Sequence, residues 1–184
     1  MKTSIKNITA IFVGVMFFVS CSDNFKKNEL LQANNLFPDE STKEMKIIYS
    51  DSGKLVFEIY APIVNTYQGD KNYMDCPAGV TITSYNDWGE KQSIMTADYA
   101  ISNDKTQTME ARDNVVIVNL LKQEKIETSQ IMWDKRAKRI YSKVQVRQTK
   151  ADGTVNIGEG FTADERFTKY TVFKPVAEVL ANEL

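Results

Sequence analysis

An all-β fold, an antiparallel sandwich or jelly roll, is predicted by three observations. Apolar residues alternate with polar ones through most of the chain after Met45. Turn residues recur at intervals of roughly 10 residues, the spacing of short antiparallel strands. Between Met45 and Phe173 no segment carries the apolar period of a packed helix.

The elements follow in order. "KIIYS" and "KLVFEIYAP" make a hairpin around "DSG", with Leu55, Phe57 and Ile59 on one face and Val56, Glu58 and Tyr60 on the other. Pro62 ends that strand, because it cannot donate to a ladder. "GVTITSY" sets Val80 and Ile82 against Thr81 and Thr83, and closes at the turn "NDWG". "SIMTADYAIS" alternates Met95, Ala97, Tyr99 and Ile101, and "NDK" turns it into "TQTMEARDNVVIVN", where Val115 and Ile117 share a face. "KIETSQIMWD" leads to "RIYSKVQVRQT", which places Ile140, Val144 and Val146 together. "ADGTV" is a tight turn, and "NIGEGFTAD" and "RFTKYTVF" complete the strands. The last, "KPVAEVLANEL", has Val176, Val179 and Leu180 on one stripe behind Pro175, so a short terminal helix is expected there. A weak repeat lays "SIMTADYAISNDKTQTMEARDNVVIV" over "KIETSQIMWDKRAKRIYSKVQV", each unit a strand, a corner, a polar turn and a strand.

Composition narrows the function. The 184 residues include no histidine, which excludes Ser-His-Asp and Cys-His hydrolases and removes the commonest ligand of transition metals. Two cysteines, Cys21 and Cys76, cannot by themselves build a structural zinc site, so no metal, cofactor or catalytic residue is assigned. A net charge of −1 with both signs interspersed gives nucleic acid no basic face to bind.

At the N-terminus Lys2 and Lys6 precede an apolar run from Ile11 to Val19, then Ser20-Cys21. The run is too short for a stable membrane span and fits a signal peptide, residues 1–20. Cysteine directly after Val19-Ser20 resembles a bacterial lipobox, although Phe18 stands where leucine is commonest. Cys21 is thus the expected lipidation site, its thiolate taking up the lipid as a thioether, and acylation at two points gives stable anchoring. Residues 21–44 read as a polar tether, 45–175 as the folded domain and 176–184 as a helical or disordered tail.

The runs "YMDCPAGVTITSYNDWGEKQSIMTADYA", "ARDNVVIVN", "KIETSQIMWD" and "GEGFTADERFTKYTV" together resemble the LptC family of lipopolysaccharide export proteins, in its Bacteroidetes-like form. The resemblance spans about Lys46 to Pro175. It implies a twisted β-jellyroll of the OstA/LptA type, open at both ends, whose interior accepts the acyl chains of lipid A. It implies a periplasmic, membrane-anchored protein that is not an enzyme. Lipopolysaccharide comes from an inner-membrane ABC transporter and passes to a periplasmic bridge protein of the LptA type. The family's well-known members carry a transmembrane helix where this chain has Cys21, and the family role favours the inner membrane.

On that reading the interior candidates are Leu55, Phe57, Ile59, Val80, Ile82, Met95, Ile117, Ile140, Val144, Val146 and Phe161. The partner-docking edge is expected at Gly158, Gly160, Tyr170, Val172 and Phe173, with the first strand, about Met45 to Ser50, as the edge nearer the transporter. "GEGFTAD" is followed by strand-like "ERFTKYTVF" and not by a helix, so it is no phosphate loop. Its glycines are read as a bulge or a close backbone approach, and Gly160→Arg is expected to weaken docking more than folding. Trp88 and Trp133 are expected to pack, and Asp98, Asp134 and Asp164 to bond at strand ends. The rival is a surface lipoprotein β-sandwich that binds glycans through Trp88, Tyr67 and Tyr73.

Overall fold

A computed structural model describes residues 37–69, 72–174 and 177–180, the last four by their backbone alone. The signal peptide, Cys21 and residues 181–184 lie outside the described residues. The strands are β1 (Glu40–Asp51), β2 (Lys54–Tyr67), β3 (Tyr73–Cys76), β4 (Val80–Tyr85), β5 (Lys91–Ala97), β6 (Tyr99–Asn103) and β7 (Thr108–Asn119). They continue as β8 (Glu124–Asp134), β9 (Arg139–Ser142), β10 (Val146–Thr149), β11 (Thr154–Gly158), β12 (Gly160–Asp164), β13 (Tyr170–Phe173) and β14 (Ala177–Leu180). All fourteen belong to one antiparallel sheet, the β-jellyroll expected from the sequence.

The sheet is a meander of long strands, most of them bent midway. One strand breaks between β3 and β4 at Pro77–Gly79, the next between β5 and β6 at Asp98. The same corner recurs at residues 143–145 and at Glu159. β2, β7 and β8 run through the corner, pairing with one set of neighbours before it and another after it. In β7 the ladder slips between Arg112 and Val115, where Asp113 and Asn114 take left-handed φ values of 63° and 49°. Asn and Asp tolerate that conformation better than other residues with side chains.

Two half-sheets result. One runs β1–β2–β4–β5–β7–β8–β10–β11–β14, the other β2–β3–β6–β7–β8–β9–β12–β13. Their inner faces meet: Phe57 of the first packs edge-on against Trp133 of the second, with ring centres 5.2 Å apart. Buried side chains from both form one core, in which each fully buried Val, Ile, Met or Phe contributes about 1.5–3 kcal/mol of apolar burial.

Several sequence expectations need correction. Pro62, expected to end a strand, lies within β2, which pairs with β1 on both sides of it and runs on to Tyr67. β1 begins at Glu40, so the tether gives way to the sheet five residues before Met45. Residues 177–180 are a strand paired with β11 and not part of a helix. A short helix without tertiary support is marginal, whereas the outer side of β11 offers a row of main-chain partners. Finally, "RFTKYTVF" becomes strand only from Tyr170, and the residues before it form a turn.

Candidate functional site

The space between the half-sheets is an apolar seam. Near its middle lies a cavity of ≈ 20 Å³, walled by Phe57, Ile82, Met95 and Ile117 on one side and Met109, Ile131, Trp133 and Ile140 on the other. Towards β1 a second cavity of ≈ 80 Å³ is walled by Met45, Ile47, Ile59, Val64, Met74 and Cys76. The smaller space holds about one water and the larger a few. Neither accommodates an acyl chain without movement.

Of the interior candidates, Phe57, Val80, Ile82, Met95, Ile117, Val146 and Phe161 are buried in the core, and Ile59 and Ile140 pack against it. Leu55 and Val144 are only half-buried, and the cause in each case is a local backbone irregularity. β1 residues Tyr49 and Ser50 pair with Phe57 and Leu55, which leaves Val56 as the extra residue of a bulge. A bulge re-aims side chains, and Val56, expected outside, is 2 % exposed. Val144 sits in the corner between β9 and β10, where Ser142 Oγ accepts its N–H at 3.2 Å. The corner at Asp98 shifts the alternation by one residue, so Ala100 is buried where Tyr99 and Ile101 were expected to continue the inner face.

Sequence reading singled out Met95 alone, but Met45, Met74, Met95 and Met109 all line the two cavities. Unbranched thioether side chains adapt to ligands of variable shape. The signal was present in the sequence as methionines at inward strand positions. The Trp133 indole N–H is buried with no hydrogen-bond partner, a polar group left inside the apolar wall. Burial, and then the charge of Asp75, push the Cys76 thiol up to about 11, so it is a packing thiol at neutral pH.

The terminal strands leave their outer sides unpaired among the described residues: β1 joins only β2, β13 only β12 and β14 only β11. On β1, Ile48 and Tyr49 are 62 % and 55 % exposed, and Phe173 on β13 is 45 % exposed. Tyr170 and Val172 turn inward and pack against the core, with Phe173 alternating outward. Gly158 and Gly160 are buried and sit one strand in from the edge, beside Phe173. A Cβ on Gly160 would stand 2.5 Å from the Ser142 carbonyl oxygen, and one on Gly158 2.4 Å from Val172 Cγ1. They are therefore close-approach positions, and Gly160→Arg would collide with the β9 backbone before it affected any edge.

Residues of the rival reading do not form one face. Tyr67 and Tyr73 stack at 4.4 Å beside the β2–β3 turn, while Trp88 stands 85 % exposed on the β4–β5 turn. Trp88 thus departs from the packing role expected of it, which Trp133 fills. Asp134 and Asp164 cap turns, accepting the N–H of Ala137 at 2.9 Å and of Thr168 at 2.7 Å. Asp98 accepts from the Asn114 amide across the corner. Among the described residues, no helix is long and apolar enough to cross a membrane.

A search of curated proteins finds no match. A family model described as lipopolysaccharide-assembly, LptC-related matches residues 7–177, nearly the whole chain. With the bent antiparallel sheet, the apolar seam and the free terminal edges in place, this chain belongs to the LptC-related family of lipopolysaccharide-assembly proteins and is a component of lipopolysaccharide transport.

Proposed function

We propose that this protein carries lipopolysaccharide by its acyl chains through the seam between the half-sheets. It receives the lipid from an inner-membrane ABC transporter on the β1 side and passes it to an LptA-type bridge protein on the β13 side. The supporting observation is a seam whose walls come from both half-sheets and are lined by apolar, methionine and aromatic side chains. Such walls hold a chain by non-directional burial, about 25 cal/mol per Å², so it slides without breaking specific bonds. A free edge at each end suits strand addition by a neighbour. Acylation of Cys21 anchors the protein at the periplasmic face of the inner membrane.

Photocrosslinking tests the path. A probe at Phe57 or Val146 captures lipopolysaccharide in cells supplied with ATP, and capture confined to the outward Glu58 would refute an interior route. For the anchor, Cys21→Ala abolishes incorporation of labelled fatty acid; undiminished labelling would rule the lipobox out.

A further inference from the structure

The turn between β12 and β13 reaches into the seam and lines its smaller cavity. Phe167 takes a left-handed φ of 59°, rare for a bulky residue, yet it is 2 % exposed and belongs to the core. Its ring meets Phe161 edge-on at 5.8 Å and stacks on Tyr170 at 5.0 Å, and it walls the ≈ 20 Å³ cavity.

Side chains from the opposite half-sheet hold this turn in place. The Arg166 carbonyl accepts from Gln92 Nε2 at 3.1 Å and from the hydroxyls of Ser84 and Ser93 at 3.3 and 3.4 Å. The Phe167 carbonyl accepts from Asn119 Nδ2 at 2.8 Å. All four side chains are buried. Outside, the Arg166 guanidinium pairs with Asp87 at 2.9 Å. Four buried polar side chains of one half-sheet thus serve two main-chain oxygens of one turn.

Resting on the reading of the seam as an acyl-chain path, we propose that the Phe167 ring occupies the seat of an acyl chain, and that the β12–β13 turn swings out to admit the chain. The ligand class is an ester-linked acyl chain. Its methylenes replace the ring between Phe161 and Tyr170. Its ester oxygens accept from Gln92 and Asn119 in place of the two departing carbonyls. After the exchange one of the Ser84 and Ser93 hydroxyls donates to the other at 2.7 Å, the remaining hydroxyl proton turns to an ester oxygen, and the Asn119 side-chain oxygen still accepts from Lys122 N–H. Opening relieves the left-handed strain at Phe167, and a departing ring enlarges a space that now has room for about one water.

The test uses full-length protein in cells, with a photocrosslinker at Met95 and lipopolysaccharide as the captured ligand. Phe167→Ala raises capture by emptying the seat. Asp87→Asn, at an exposed position that spares the core, raises it about two- to fivefold, the equivalent of one exposed ion pair. In the wild-type protein, adding lipopolysaccharide speeds amide exchange at Phe167, Thr168 and Lys169. Capture at Met95 indifferent to both substitutions, with those amides unchanged by lipopolysaccharide, overturns the gate while capture at Phe57 still upholds the transport path. Absence of capture at every seam position overturns both.

Discussion

Replacing Gly160 with alanine isolates the close approach of β12 to β9. The added Cβ would lie 2.5 Å from the Ser142 carbonyl oxygen, and that atom is main chain, held in the ladder by the Phe161–Ser142 pair. Overpacking of this kind costs about 1–3 kcal/mol. Against it stands a gain of roughly 0.4–1 kcal/mol, because alanine restricts the unfolded chain and Gly160 needs no left-handed backbone. The net loss is about 1–2 kcal/mol. With a urea slope near 1–3 kcal/mol per molar, the unfolding midpoint falls by roughly 0.5–1 M. Gly158→Ala is a matched comparison: its nearest obstruction is the Val172 side chain at 2.4 Å, although the Phe173 oxygen follows at 2.7 Å. Val172→Ala should therefore partly rescue Gly158→Ala in a double-mutant cycle, whereas no side-chain truncation rescues Gly160→Ala. An unchanged or raised midpoint for Gly160→Ala would refute the close-approach assignment.

Two further outcomes follow from buried titrating groups. With its thiol pushed up to about 11 by burial, Cys76 carries roughly a hundredfold less thiolate at pH 8 than an unfolded cysteine. Located by mass spectrometry, maleimide labelling of Cys76 in the native protein is slowed by about that factor and becomes fast in urea. Burial also raises the Glu165 carboxyl, on the β12–β13 turn, above its ordinary value, with Lys138 and Arg166 opposing. A raised carboxyl favours its neutral form in the folded state, so this group's contribution to stability is present at low pH and is lost as pH rises through the carboxylate range. Glu165→Gln consequently melts higher than wild type at pH 7, and the difference closes towards pH 3; a gap that widens in acid contradicts the burial.

Much of this architecture is legible in short-range pattern. Alternation located nearly every strand, since side chains on a pleated chain point to opposite faces in turn. Asp-Gly and Asn-Asp pairs marked the turns because they accept the backbone that turns require. The inward set Phe57, Ile82, Met95 and Ile117 emerged from alternation alone, and the cavity wall contains all four. Alternation fails wherever the ladder slips by one residue. The bulge at Val56, the corner at Asp98 and the kink at Val144 each change which side chains face inward; the first arises in the β1–β2 ladder, the second where β5 gives way to β6, and the third at a local bond to Ser142 Oγ.

By itself, then, the sequence determined an antiparallel β fold, its turns, its family and most of its apolar wall. All of these depend on local geometry and on ordered motifs. Tertiary structure alone decided where the sheet bends, that residues 177–180 join β11, and that Phe167 lies under a clasp of Ser84, Gln92, Ser93 and Asn119. Those residues stand 48 to 82 positions from their partners. Contacts over such separations form only when the two half-sheets meet, and no local period encodes them.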